Sequence, residues 1–248
     1  MTKLCLIGYG KMGKMIAELA PSQDCEVVSI VDPSLAQHHA LINAEVLAGA
    51  DVCIDFSHPS VVLANIRQTV ALGKNLVVGT TGWNAHLEEI KTLVQSTGTG
   101  FLHGANFSIG MNLFQRVIAY ASTVFDKFEA YDSFGYEIHH RQKADSPSGT
   151  AIELANTILG QSTRKNSAVF EKLDRRPEPQ ELHFASVRGG YVPGTHVLAF
   201  DSEADTIELT HRVRSRVGFA MGALLSARWL QDKKGFFTFA EMISEIVC

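Results

Sequence analysis

Short, largely apolar segments recur along the first hundred positions. Residues 3–7, 25–31, 51–56, 76–78 and 101–102 read as strands, and the run 3–7 suits one buried in a parallel sheet. Between them, residues 14–20, 61–72 and about 85–95 place apolar side chains three and four positions apart, the spacing of a helix. Gly73 reads as a helix stop and Asn84 as a helix cap. Strand and helix in alternation predict a doubly wound parallel sheet, whose ligands bind beyond the carboxyl ends of the strands. Residues 8–13, 79–82 and 104–108 end strands in small or polar side chains and should gather on that rim. His58 and His103 fall near it and are read as structural.

The pattern changes after Ser108. Residues 111–125 read as a helix, and Phe134, Tyr136 and Ile138 then alternate with Gly135, Glu137 and His139, the period of a strand. Residues 151–159 are helical, and the polar stretch 161–180, with Pro177 and Pro179, reads as a loop. Residues 182–187, 196–200 and 206–210 are strand-like. Consecutive strands with few helices predict a second, α+β domain with a mostly antiparallel sheet. Helical spacing returns at 218–230, and residues 238–241 resemble a capping box opening a last short helix.

Charge and composition narrow the function classes. The 22 Lys and Arg against 26 Asp and Glu give −4, which leaves no basic field for nucleic acid as main partner. No apolar run approaches the ~20 residues of a membrane-spanning helix, and the chain enters a strand at once, without a signal-peptide pattern. Cys5, Cys25, Cys53 and Cys248 are widely spaced, three of them in apolar runs that suit buried, reduced thiols. No Cys/His spacing resembles a zinc site, so no metal is expected, and a cytoplasmic location fits these features.

Gly8-Tyr9-Gly10-Lys11-Met12-Gly13 lies between the first strand and the first helix, and Asp32 closes the second strand. This is the dinucleotide pattern in its required context, and it marks the first domain as Rossmann-type. Gly8 permits the tight turn, Gly10 lets a pyrophosphate approach the backbone, and Gly13 lets helix and strand pack closely. Asp32, about 20 residues past the glycines, can accept from the adenosine ribose hydroxyls and repels a 2′-phosphate, which favours NADH. Lys11 could attract that phosphate or be a plain exposed helix residue, so NAD(P)H stands as the expected cofactor.

Residues 137–150 read Glu137-Ile138-His139-His140-Arg141-Gln142-Lys143-Ala144-Asp145-Ser146-Pro147-Ser148-Gly149-Thr150. Two imidazoles, a guanidinium and an ammonium fall within five positions, just ahead of a helix start at Ser148, Gly149 and Thr150. Free N–H groups of a helix start bind anions, and imidazoles move protons near neutral pH. The combination suits a small acidic substrate that needs a proton. The plainer reading is a solvated basic loop before an ordinary cap. Glu137 shares a strand face with His139 and could orient its ring.

The run 139–151 resembles the signature of the 4-hydroxy-tetrahydrodipicolinate reductase (dihydrodipicolinate reductase) family. The resemblance extends to Asp55-Phe56-Ser57, Gly79-Thr80-Thr81-Gly82, Ala105-Asn106-Phe107-Ser108 and the stretch 210–216, in order along nearly the whole chain. The phosphate loop here is one residue shorter than in many members, and the nucleotide lobe is trimmed.

The resemblance implies NAD(P)H-dependent reduction of 4-hydroxy-tetrahydrodipicolinate, with loss of water, in lysine and diaminopimelate synthesis. It implies His139 as proton donor and acceptor and Lys143 as a proton donor. His140, Ser148, Gly149, Thr150 and Arg216 would bind the dicarboxylate, while Arg141 and Asp145 would fix the loop. Gly8, Tyr9, Gly10, Lys11, Met12, Gly13, Asp32, Gly79, Thr80, Thr81, Gly104, Ala105, Asn106 and Phe107 would hold the cofactor. It further implies a homotetramer assembled through the second domain's sheet. Residues 1–108, completed by 217–248, would form the dinucleotide domain and 109–216 the substrate and oligomerisation domain. Two rival readings keep the same frame: another NAD(P)-dependent dehydrogenase, which leaves the basic signature unexplained, and a non-catalytic nucleotide sensor, which has no use for His139 and Lys143.

Overall fold

A computed structural model describes residues 1–247; Cys248, one of the four cysteines noted above, lies outside the described residues. The chain runs β1 (Thr2–Ile7), α1 (Lys11–Leu19), β2 (Cys25–Val31), α2 (Ala44–Leu47), β3 (Val52–Asp55), α3 (Val62–Ala71), β4 (Asn75–Val78), α4 (Leu87–Thr97), β5 (Gly100–His103) and α5 (Ile109–Phe125). It continues through β6 (Asp132–His139), α6 (Gly149–Gln161), β7 (Ser167–Val169), β8 (Glu181–Arg188), β9 (Thr195–Asp201) and β10 (Thr206–Arg212). It ends with α7 (Val217–Leu230), β11 (Gly235–Thr238) and α8 (Phe239–Val247). Two compact units result, residues 1–112 with 216–247, and Leu113–Ser215.

Among the described residues the first unit's sheet has the order β11-β5-β4-β3-β1-β2, with every pair parallel. The apolar runs follow from burial on both faces. Leu4, Leu6, Ile54, Val77 and Leu102 pack with residues of α1 and α7, while Cys5, Cys53, Leu76, Val78 and Phe101 pack with residues of α3 and α4. Cys5, Cys25 and Cys53 are buried free thiols.

Two details of the first unit depart from the sequence expectation. Asn84 does not cap α4; it opens a single 3-10 turn, Asn84–His86, and the N-cap is His86, with no side-chain bond. Residues 235–238 add a strand that periodicity does not reveal, since four residues are too few to show alternation. Pairing with β5 and stacking of Phe236 on Phe101, 5.0 Å between centroids, hold it. The capping box after it forms as expected: Thr238 N–H donates to Glu241 Oε2 (2.6 Å) and Glu241 N–H donates to Thr238 Oγ1 (3.2 Å).

The second unit's sheet has the order β10-β9-β6-β8-β7. The pairs β10–β9 and β9–β6 are antiparallel as expected, whereas β6–β8 and β8–β7 are parallel, so the sheet is mixed. β7 lies inside the stretch read as a loop; its three residues become a strand only through their pairing with β8. On β6 the polar half of the alternation is the buried half. Gly135, Glu137 and His139 face inward, while Phe134, Tyr136 and Ile138 keep more solvent contact. No helix of the described residues is long and apolar enough to cross a membrane.

Candidate active site

The glycine loop has the geometry its spacing implies. Gly8 sits at φ +90°, in the left-handed region, and a Cβ there would come within 2.6 Å of the Phe56 carbonyl oxygen. A Cβ on Gly13 would collide with the Gly8 carbonyl oxygen, so only glycine lets α1 pack against the turn. Gly10 has nothing within 4 Å of its would-be Cβ, which leaves backbone open to a phosphate. The residues present therefore fit a dinucleotide.

Asp32 Oδ2 accepts from Tyr9 N–H (2.8 Å), and its Oδ1 accepts from the Ser34 hydroxyl (2.5 Å) and N–H (3.0 Å). The Ser34 hydroxyl foremost, with the Tyr9 and Ser34 amides, holds this carboxyl below the usual carboxylate range. Asp32 thus stays anionic and also ties the glycine loop to the end of β2. Lys11 is exposed on the first turn of α1, and Met12 packs against the core.

The three strand-end segments do meet, and Phe56 joins them. Its ring fills the space a Gly79 side chain would need and lies 5.7 Å from the Phe107 ring. Phe107 itself is buried, and its carbonyl oxygen packs so closely against Gly222 of α7 that a Cβ there would collide with it. Thr80 Oγ1 donates to Asp55 Oδ1 (2.7 Å) and accepts from Ser57 N–H (2.8 Å), so its hydroxyl fixes the end of β3. Burial pushes the Asp55 carboxyl up, against the pull of the Thr80, Ser57 and Asn65 donors. Asn106 Oδ1 accepts from Ser108 N–H (2.9 Å), fixing the Gly104-Ala105-Asn106 turn ahead of α5. Thr81 follows Thr80 on the same rim.

In the second unit the chemistry collects around Glu137, which has no solvent exposure. Its Oε1 accepts from Ser148 N–H (2.9 Å), Ser186 Oγ (2.9 Å) and Arg188 Nη2 (2.7 Å). Its Oε2 accepts from the Ser148 hydroxyl and lies 3.2 Å from His139 Nδ1 and 3.3 Å from His196 Nε2. Burial alone would raise this carboxyl; the His196, Ser148 and Arg188 donors outweigh it and hold the group well below the usual range. His139 is pushed down to about 4, first by burial; Glu137 opposes this, and His196, Lys143 and Arg188 add to it. Glu137, His139 and His196 present ligand-type atoms within 4.8 Å of one another. The carboxylate is already saturated by a guanidinium and neutral donors, which suits it to handling protons rather than holding a metal.

The structure brings together His139, Lys143 and Ser148, with differing roles. Lys143 Nζ pairs with Asp145 (2.8 Å) and lies close enough to act on the His139 charge. Asp145 O accepts from Arg188 Nη2 (2.7 Å), and Arg141 lies over the Tyr191 ring at 5.7 Å, so both residues brace the loop. His140 is half-buried, with its N–H donating to Val192 O (2.8 Å). Gly149 and Thr150 open α6 and present its first-turn N–H groups, with free space around Gly149. Ser148 departs from the expectation that it touches substrate. It is buried, its N–H and hydroxyl are committed to Glu137, and its oxygen caps α6 by accepting from Ala151 N–H (3.1 Å). Arg216 is exposed at the N-cap of α7 and belongs to the first unit.

Sequence reasoning missed Ser186, Arg188 and His196. Register supplies them: Glu137 stands opposite Ser186 on β8 and His196 on β9, and His139 opposite Arg188. The polar alternation of β6 was the one available signal, since a buried carboxylate needs donors on its neighbours.

Comparison with known proteins bears on this geometry. The family model "Dihydrodipicolinate reductase, N-terminus" matches residues 2–107, and "Dihydrodipicolinate reductase, C-terminus" matches residues 110–243. A 4-hydroxy-tetrahydrodipicolinate reductase of Christiangramia forsetii is 35% identical over 243 residues, covering 98% of each chain. One from Staphylococcus carnosus is 35% identical over 244 residues, covering 96% of this chain and 98% of the relative. A solved structure described as dipicolinate-bound dihydrodipicolinate reductase from Paenisporosarcina sp. TG-14 aligns with a TM-score of 0.79 at 23% identity. It covers 98% of this chain and 99% of that one, which shows a shared fold.

Proposed function

The chain belongs to the dihydrodipicolinate reductase family, and from that premise we propose that it reduces 4-hydroxy-tetrahydrodipicolinate to tetrahydrodipicolinate with NAD(P)H, a step of lysine synthesis through diaminopimelate. The substrate loses water to give a conjugated imine. A hydride and one proton then add, and the proton quenches the negative charge the hydride leaves on the ring. A nicotinamide dinucleotide bound at the glycine loop supplies the hydride.

The observation that carries the reading is the buried Glu137–His139 pair beside Lys143 and the start of α6. His139 gives and takes the proton, Lys143 is a second donor, and a positioned acid of this kind contributes about 10²–10⁴-fold. His140, Gly149 and Thr150 bind the carboxylates, the last two through first-turn N–H groups of α6. A sensor would not need a buried anion aimed at an imidazole, and a different dehydrogenase would leave the basic loop without a task.

NADH is the preferred cofactor, because Asp32 remains ionised where a 2′-phosphate would sit. A homotetramer is built on the outer face of the second unit's sheet, where Phe134 (37% exposed) and Val187 (49% exposed) leave apolar surface on neighbouring strands. The test is direct: purified protein is mixed with NADH or NADPH and freshly made hydroxy-tetrahydrodipicolinate, and the nicotinamide absorbance is followed. Rapid loss, faster with NADH, supports the reading; no loss with folded protein overturns it.

A further inference from the structure

We propose that Glu137 is the positioning residue of His139: it keeps a proton on Nδ1, so that Nε2 is the atom that gives and takes the proton of the reaction. The proposal rests on the reading of His139 as proton donor, and adds which nitrogen acts and what selects it.

Glu137 Oε2 lies 3.2 Å from His139 Nδ1. The contact is close but is not aligned as a hydrogen bond. Nδ1 is buried and has no hydrogen-bond partner among the described residues, so Glu137 is the acceptor within reach. The opposite edge of the ring is kept clear by a missing side chain. A Cβ on Gly194 would stand 3.0 Å from Nε2, and glycine removes it.

The carboxylate cannot swing away. Ser148, Ser186 and Arg188 hold Oε1 from an adjoining helix start and the neighbouring strand, and His196 on β9 approaches Oε2 at 3.3 Å. The charged or titratable groups facing His139 are therefore Glu137 on its own strand, Arg188 on β8, His196 on β9 and Lys143 in the loop. Of these four, only Glu137 favours the imidazolium. Without it, none of these groups would favour a charged ring.

The test uses full-length protein labelled with ¹⁵N-histidine and read by long-range proton–nitrogen correlation, with His139 assigned by its loss in His139→Gln. The wild type should show the Nδ1–H tautomer. Glu137→Gln should move His139 to the Nε2–H tautomer and lower kcat by about 10²–10⁴-fold, with KM nearly unchanged. An Nε2–H tautomer in the wild type overturns the proposal, as does full kcat in Glu137→Gln or a change confined to KM. Should Glu137→Gln fail to fold, Arg188→Gln decides. That variant leaves the Glu137–His139 contact in place and should keep the Nδ1–H tautomer, and an Nε2–H tautomer overturns the proposal. Absence of wild-type turnover would defeat the functional reading, whereas the tautomer answers this question with or without turnover.

Discussion

Glu137 and His139 stand two residues apart on β6 and meet on its buried face, carboxylate oxygen to imidazole nitrogen at 3.2 Å. The carboxylate stays ionised because a guanidinium, an imidazole and a serine surround it; the imidazole stays neutral because burial, with Lys143, Arg188 and the neighbouring His196, outweighs that one anion. At neutral pH the free protein therefore holds an uncharged His139 beside a fixed negative charge. A dianionic substrate tips the balance, since added negative charge favours the imidazolium.

That balance sets a pH signature for stability. His139 titrates at about 4 in the folded chain and near 6.5 when unfolded. Between those values the unfolded chain binds a proton that the folded chain refuses, so stability falls as pH drops through the window. Glu137, depressed in the folded state, contributes stability above the ordinary glutamate range and loses it only at lower pH. Thermal unfolding from pH 7 to 4 should show a shallower decline in His139→Gln than in the wild type. Parallel curves would contradict the assignment.

Asp32 should decide between the two nicotinamide cofactors. Asp32→Ser removes the charge opposed to a 2′-phosphate and also frees Tyr9 N–H, so both cofactors bind less well. The ratio of kcat/KM for NADH to that for NADPH should fall by about tenfold, equivalent to ~1.4 kcal/mol. An unchanged ratio would show that Asp32 does not read the ribose.

The glycine loop separates a binding glycine from a packing glycine. Gly10→Ala adds a methyl to open space, so melting should be unchanged while NADH affinity falls. Gly13→Ala drives a methyl into the Gly8 carbonyl, and overpacking of this kind costs about 1–3 kcal/mol. Melting curves and NADH titrations of the two variants check this. Tight NADH binding by Gly10→Ala would place the pyrophosphate elsewhere.

The parallel sheet was readable because its central strands are buried on both faces, which leaves apolar runs such as Leu4–Ile7 in the sequence. The second sheet was less readable, since β7 and the parallel entry of β8 are set by partners distant in sequence. In the candidate site, the residues of one continuous loop, His139 to Thr150, could be seen in order. Arg188 and His196 could not, because only strand register brings them to Glu137. Ser148 looked like a ligand contact because a helix-start serine faces anions in either role; here the anion is the protein's own carboxylate.

The most direct measurement is single-turnover reduction of hydroxy-tetrahydrodipicolinate by pre-bound NADH in the wild type, His139→Gln and Lys143→Ala. Both variants should bind NADH as the wild type does, since neither residue lies in the cofactor unit, and both should react about 10²–10⁴-fold more slowly. Wild-type rates in His139→Gln, with NADH binding intact, would contradict the assignment of the proton to this residue.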